Sequence, residues 1–174
     1  MKYVLCGYMG CGKSHIGKKL ATKTGAQFVD LDTEIERKEN QSISEIFKNK
    51  GEIYFRKSET QVLKRLLEQQ KSFVLALGGG TPCYGQNLEL IKSGDCQSFY
   101  LKLSVKSLTQ RLWEEKGKRP LINTIKTERK LEEFIQKHLF ERRFYYMQSD
   151  FNIDMETYST EEEILNQIIK QQSI

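Results

Sequence analysis

Residues 7–14 read Gly-Tyr-Met-Gly-Cys-Gly-Lys-Ser, directly after the apolar run Tyr3-Val4-Leu5-Cys6. A Gly-x-x-x-x-Gly-Lys-Ser stretch that follows a strand and opens a helix cradles nucleotide phosphates. Gly7, Gly10 and Gly12 let the chain bend close to a phosphate, and successive N–H groups turn inward as an anion-binding nest. The helix that begins near Lys13 adds the positive end of its dipole. Lys13 offers a mobile cation to the outer phosphates, and Ser14 offers a hydroxyl to Mg²⁺. The expected nucleotide contacts are therefore Gly10, Cys11, Gly12, Lys13, Ser14 and His15. Cys11 is either a small residue in a tight loop or a reactive thiol. Its place beside Lys13 at a helix N-terminus predicts modest alkylation that nucleotide would block.

A chain of 174 residues, 38% apolar and 29% charged, has the size and balance of one domain with a real core. No apolar stretch is long enough to span a bilayer, and the N-terminus enters a strand at once, so the expected setting is the cytoplasm, away from membranes. Cys6, Cys11, Cys83 and Cys96 show no Cys-x-x-Cys spacing, which argues against a zinc site or a disulfide framework. The net charge of +5 suits a polyanionic small molecule as well as nucleic acid. The positive charges form no single run interleaved with aromatics, so no nucleic-acid partner is expected. Nothing in the pattern calls for an obligate dimer, and a monomer is expected.

Apolar runs alternate with helical spacing along the whole chain. Strands are predicted at Tyr3–Cys6, Gln27–Val29, Phe73–Leu77, Gln97–Leu101 and Phe151–Ile153. Ile16, Leu20 and Thr24 share a helical face after the phosphate loop. Ser42 with Glu45 forms a capping box, and Phe55, Val62 and Leu66 mark a long helix. Leu108 and Leu112 mark another. Leu131, Phe134, His138 and Phe140 lie in a charged helix that runs toward Tyr146, and Ser159 with Glu162 caps a last one. The alternation predicts an α/β fold, a five-stranded parallel sheet in a three-layer α/β/α arrangement. The charged, poorly periodic stretch Glu114–Arg129, with Gly117 and Pro120 inside it, reads as a mobile excursion rather than a domain boundary.

In parallel sheets, ligands bind beyond the carboxyl ends of the strands. That rule gathers the phosphate loop, Asp30-Leu31-Asp32 and Gly78-Gly79-Gly80 into one crevice. Strand alternation places both aspartates on one side, one to support Mg²⁺ and the other to take a hydroxylated substrate. Alternatively, they cap the following helix. The third predicted strand ends in glycine, which leaves Asp30 the best candidate for metal support. Gly78, Gly79 and Gly80 either expose backbone N–H groups to a substrate or form a plain turn. Arg56, Arg142 and Arg143 are candidates for binding a carboxylate bidentately, which lysine does poorly. Arg119 lies on the excursion, where it could reach a transferring phosphoryl group on closure. Arg111 either stacks on an adenine or faces solvent. His15 and His138 read as structural rather than catalytic.

As a set, Gly7–Ser14, Asp30-Leu31-Asp32, Phe55-Arg56, Gly78-Gly79-Gly80, Arg119-Pro120-Leu121 and the Arg142…Tyr146 segment resemble the shikimate kinase family over about residues 1–155. The resemblance implies transfer of the ATP γ-phosphoryl to the 3-hydroxyl of shikimate, in aromatic amino-acid synthesis. It also implies a nucleoside-monophosphate-kinase-like P-loop fold with a substrate-binding subdomain (about 31–60) and a lid (about 114–126). By matching positions, Asp32 would hold the substrate hydroxyls and act as base. Arg56, Gly79 and Arg142 would hold the substrate, with both arginines on its carboxylate. Arg119 would be the lid arginine, and Ser14, with Asp30 through water, would serve Mg²⁺. The family's usual Arg-x-Pro-Leu-Tyr becomes Arg142-Arg143-Phe144-Tyr145-Tyr146 here. Aligning Tyr146 selects Arg142, with Arg143 as reserve, whereas aligning Tyr145 would select Glu141, which cannot bind a carboxylate. Other small P-loop kinases, a nucleotide-binding regulatory module and a basic nucleic-acid binder are the competing readings.

Overall fold

The computed structural model describes residues 1–118 and 120–171. Five strands, β1 (Lys2–Cys6), β2 (Gln27–Asp30), β3 (Phe73–Ala76), β4 (Gln97–Lys102) and β5 (Phe151–Asp154), form one sheet in the order β2-β3-β1-β4-β5. All four pairings are parallel, with Val4 opposite Leu75 on one side and Ser98 on the other. Every residue of β1 and β3 is buried, as expected of central strands covered on both faces. The edge strands β2 and β5 each bury only one residue, Val29 and Ile153.

Eight α-helices lie among the described residues. They are α1 (Lys13–Thr24), α2 (Leu31–Glu39), α3 (Ile43–Leu67), α4 (Asn87–Ser93), α5 (Val105–Glu114), α6 (Pro120–Asn123), α7 (Glu128–Tyr146) and α8 (Glu161–Lys170). From β1 the chain moves outward to β2, then returns through β3 past β1 to β4 and β5. Right-handed crossovers therefore put α1 on one face and the later connections on the other. α8 packs against α1 on the first face, and α5 packs against α7. Because β1 lies where the direction of winding reverses, the loop after it opens into the crevice between diverging connections.

Several boundaries differ from the sequence reading. α3 is two helical segments joined across a kink at Gly51, whose φ of 80° and ψ of 173° no other residue adopts readily. The predicted Ser42–Glu45 capping box opens its first half. The last capping box forms one residue later than expected, between Thr160 and Glu163. That register buries Ile164, Leu165 and Ile168 and leaves Glu161 and Glu162 to pair with Lys19 and Lys23 of α1. β5 also ends in an aspartate, contrary to the expectation that Asp30 alone does so. Asp154, however, is paired with Lys102 at 2.6 Å, at the far edge of the sheet. Within residues 114–126 the chain forms a 3-10 turn at Lys116–Lys118 and α6, and Ile122 is fully buried.

Candidate active site

The loop after β1 is shaped by three glycines of positive φ, Gly7, Gly10 and Gly12, the last serving as N-cap of α1. Lys13 is almost wholly buried, and its ammonium folds back to donate to the carbonyls of Gly7 (2.8 Å) and Tyr8 (3.0 Å). Ser14 donates its hydroxyl to Asp30 Oδ2 at 2.8 Å. Arg111 of α5 lies over the loop, with Nη1 3.5 Å from the Gly10 carbonyl, and its side chain is exposed. His15 meets Glu161 at 2.7 Å. Cys11 is 1% exposed, with Sγ 3.9 Å from Lys13 Nζ, and its N–H closes a turn on Tyr8 O. The thiol therefore faces the core rather than the crevice, which removes the basis for ready alkylation.

Asp30 ends β2, while Leu31 already begins α2. The two aspartates thus share a side because of the helix start, not by strand alternation as the sequence suggested. Asp30 takes the capping role and also meets the phosphate loop. One oxygen caps α2 by accepting from the N–H groups of Asp32 and Thr33, and the other accepts from Ser14. Asp32 lies in the first turn of α2 and stands against the glycine run. A Cβ at Gly78 would be 2.9 Å from Asp32 Oδ1. Burial, reinforced by the negative charges of Asp30 and Glu59 and opposed by Lys13, pushes the Asp32 carboxyl up to about 6.

Lys13, Ser14, Asp30, Asp32, Gly78 and Gly79 line one cavity of about 590 Å³, together with Gly10, Gly12, His15 and Arg111. The glycine run approaches the phosphate loop so closely that a Cβ at Gly79 would stand 3.2 Å from the Met9 nitrogen. Gly80 and Arg56 lie behind this wall, next to each other. Arg56 Nη1 donates to Glu59 at 2.9 Å, and the other oxygen of Glu59 accepts from Thr81 at 2.7 Å. Arg142 of α7 comes from the opposite side, half-buried, with its guanidinium 5.9 Å from the centre of the Tyr8 ring. Cys83 lies within the field of both arginines, although burial still pushes its thiol up to about 11. Arg143 is exposed. Arg119 falls outside the described residues.

Three residues of this region escaped sequence reasoning. Glu59 is 1% exposed and ties Arg56 to the turn after the glycines; its spacing of three residues after Arg56 on a helix was the available signal. Tyr146 is fully buried and donates its hydroxyl to the Gly79 carbonyl, which pins the glycine run. Tyr84 stacks on Arg56, with the guanidinium 3.7 Å from the ring centre. The two tyrosine contacts join residues far apart in the chain, and no local pattern announces them.

A phosphate loop at the winding reversal of a parallel sheet, with a hydroxyl–carboxylate pair and a half-buried aspartate beside it, defines a P-loop phosphotransferase. The family model for shikimate kinase matches residues 9–173. The chain is 45% identical over 163 residues to the shikimate kinase of Flavobacterium johnsoniae, covering 94% of each chain. The chain belongs to the shikimate kinase family, whose members are ATP-dependent kinases that phosphorylate shikimate. The structure superposes on shikimate kinase from Bacteroides thetaiotaomicron with a TM-score of 0.90 at 29% identity, covering 100% of this chain and 99% of that one. For the Acinetobacter baumannii shikimate kinase solved in complex with shikimate, the TM-score is 0.85 at 32% identity, with coverage of 98% and 91%. Among the described residues no helix is long and apolar enough to cross a membrane.

Proposed function

We propose that this chain transfers the γ-phosphoryl group of ATP to the 3-hydroxyl of shikimate, with Asp32 as the residue that orients the hydroxyl and takes its proton. The observation that carries this reading is the single cavity shared by Lys13, Ser14, Asp30, Asp32 and Gly79. In it the hydroxyl oxygen bonds to the γ-phosphorus as the bond to the β,γ-bridging oxygen breaks. ADP leaves with the electron pair, and the proton passes to Asp32. A carboxyl that titrates near 6 is ionised at neutral pH yet basic enough to receive that proton. Lys13 leaves the loop carbonyls for the outer phosphates, and the N–H groups from Gly10 through His15 cradle the rest, with Arg111 beside the base.

The hydroxyl of Ser14 and the carboxylate of Asp30 are hard oxygen donors 2.8 Å apart, suited to a Mg²⁺ ion that keeps several waters and takes its other ligands from phosphate. They would hold it directly and through water, and the ion would neutralise charge on the β- and γ-oxygens. Arg56 and Arg142 converge on the substrate carboxylate, and Gly78, Gly79 and Gly80 admit the ring close to the main chain. Arg119 serves as the lid arginine within residues 114–126, and residues 31–60 form the substrate-binding subdomain of one domain. The enzyme works as a monomer in the cytoplasm.

ADP release measured with shikimate, gluconate and nucleoside monophosphates as acceptors tests this function. Turnover with shikimate and not with the others is expected, and comparable turnover with another acceptor would overturn it. Of the two neighbouring arginines, only Arg142 is half-buried and directed toward Tyr8 and Cys83. Arg142→Ala is expected to weaken shikimate binding by about 2–4 kcal/mol, since a bidentate charged partner is lost. Arg143→Ala should stay close to wild type. Titration of shikimate into both variants checks this, and the reverse result would assign Arg143 instead.

A further inference from the structure

The Arg56 guanidinium is held on more sides than its ion pairs provide. Its central carbon lies 3.7 Å from the centre of the Tyr84 ring, within the range of a strong cation–π contact. Gly80 closes in on the same pair of groups. A Cβ there would stand 3.2 and 3.3 Å from the two terminal nitrogens of Arg56 and 3.3 Å from Tyr84 Cε2. Nη1 is fixed on the buried Glu59 at 2.9 Å. The Nε–Nη2 edge, the one left to meet a carboxylate through two parallel bonds, faces Glu52 at 3.4 Å from both nitrogens. Glu52 is 53% exposed, so this last contact is loose.

Tyr84 is itself anchored. It caps the 3-10 turn Thr81–Cys83, and that turn is bound to α3 in two places. The Thr81 hydroxyl donates to Glu59 at 2.7 Å. Asn87 donates to the Thr81 carbonyl at 2.9 Å and accepts from Thr60 at 2.7 Å. Glu59 and Thr60 lie three and four residues after Arg56, so one turn of helix sets the register of both the arginine and the ring beneath it.

We infer that Tyr84 is a positioning residue for the reaction: its ring fixes the plane of the Arg56 guanidinium so that the Nε–Nη2 edge meets the acceptor carboxylate, with Glu52 giving way as that carboxylate arrives. The inference rests on the assignment of Arg56 to the acceptor carboxylate. The contact uses the face of the ring, so phenylalanine replaces tyrosine and an aliphatic side chain does not.

Steady-state kinetics of Tyr84→Leu, Tyr84→Phe, Arg56→Lys and the Tyr84→Leu/Arg56→Lys double variant test it. Tyr84→Leu is expected to raise KM for shikimate about tenfold, with kcat and KM for ATP within about twofold of wild type. Tyr84→Phe should match wild type. Arg56→Lys loses the planar fork and should raise the same KM, and adding Tyr84→Leu to it should change little more. An unchanged KM in Tyr84→Leu beside a raised one in Arg56→Lys would overturn the inference while leaving the role of Arg56 intact. So would a Phe variant as impaired as the Leu variant, or a parallel loss in kcat, both KM values and Tm. An unchanged KM in Arg56→Lys would overturn the assignment of Arg56 and the inference with it. Should Tyr84→Leu fail to fold, Tyr84→Met provides the same comparison.

Discussion

Replacing Lys13 with alanine is expected to lower kcat by roughly 10³-fold, since one preorganised cation on a transferring phosphoryl group carries a large share of the barrier reduction. The lysine bonds to the carbonyls of Gly7 and Tyr8, inside the loop it serves. Its removal frees two loop carbonyls and leaves every core contact of α1 in place, because Ile16, Leu20 and Ala21 carry that packing. Stability should therefore fall by only about 1 kcal/mol. A coupled ADP assay alongside a thermal melt checks both parts. A variant that retains activity within about tenfold of wild type would remove Lys13 from the catalytic machinery.

Asp32→Asn is expected to lower kcat by about 10²–10⁴-fold, the usual worth of a positioned general base. Its stability should move the other way. Burial raises the native carboxyl from 3.8 to about 6, so between those values the native state holds a proton that the unfolded state has released. Stability from this group is fully present below about pH 4 and is lost as pH rises through 6. At pH 8 the charged, half-buried Asp32 costs on the order of 2 kcal/mol, which the neutral asparagine avoids. The variant should therefore melt higher than wild type at pH 8, with the gap closing toward pH 4. In wild type the acid limb of kcat should fall near 6, and this limb should vanish in the residual activity of the variant. A wild-type rate in Asp32→Asn, or an unchanged acid limb, would show that the proton goes elsewhere.

The sheet was legible because its central strands are buried on both faces. Val4-Leu5 and Phe73–Ala76 read as unbroken apolar runs, and the helices between them carry caps and periodic faces. The phosphate loop was legible because its geometry requires glycine at positions where φ is positive. The ends of elements were less clear. Ser159–Glu162 and Thr160–Glu163 present the same capping spacing, and only the buried face of α8 selects between them. Asp30 and Asp32 were found through an incorrect local picture. The sequence offers both a strand end and a helix to be capped, but not that the helix begins at Leu31, between the two aspartates. Cys11 illustrates a different limit: the sequence placed it beside a cation, and burial placed it behind the loop. Tyr84 and Tyr146 act through contacts between separate elements, and tertiary packing alone reveals them, whereas Glu59 had a local signal in its spacing from Arg56.

The bend in α3 has a mechanical meaning. No heavy atom lies within 4 Å of where a Cβ would sit at Gly51, so its backbone angle, not crowding, calls for glycine there. Lys50 before the bend and Tyr54 and Ser58 after it all bond to Glu39 at the end of α2. The arrangement is an articulated arm riveted to α2 at Glu39, with Lys38 adding bonds to Ser58 and Gln61 beyond the bend. Asp32 rides at the base of α2 and Arg56 on the far segment of α3, so the two grips on an acceptor can be retuned separately as mutations accumulate, while these ties keep both within reach of the same molecule.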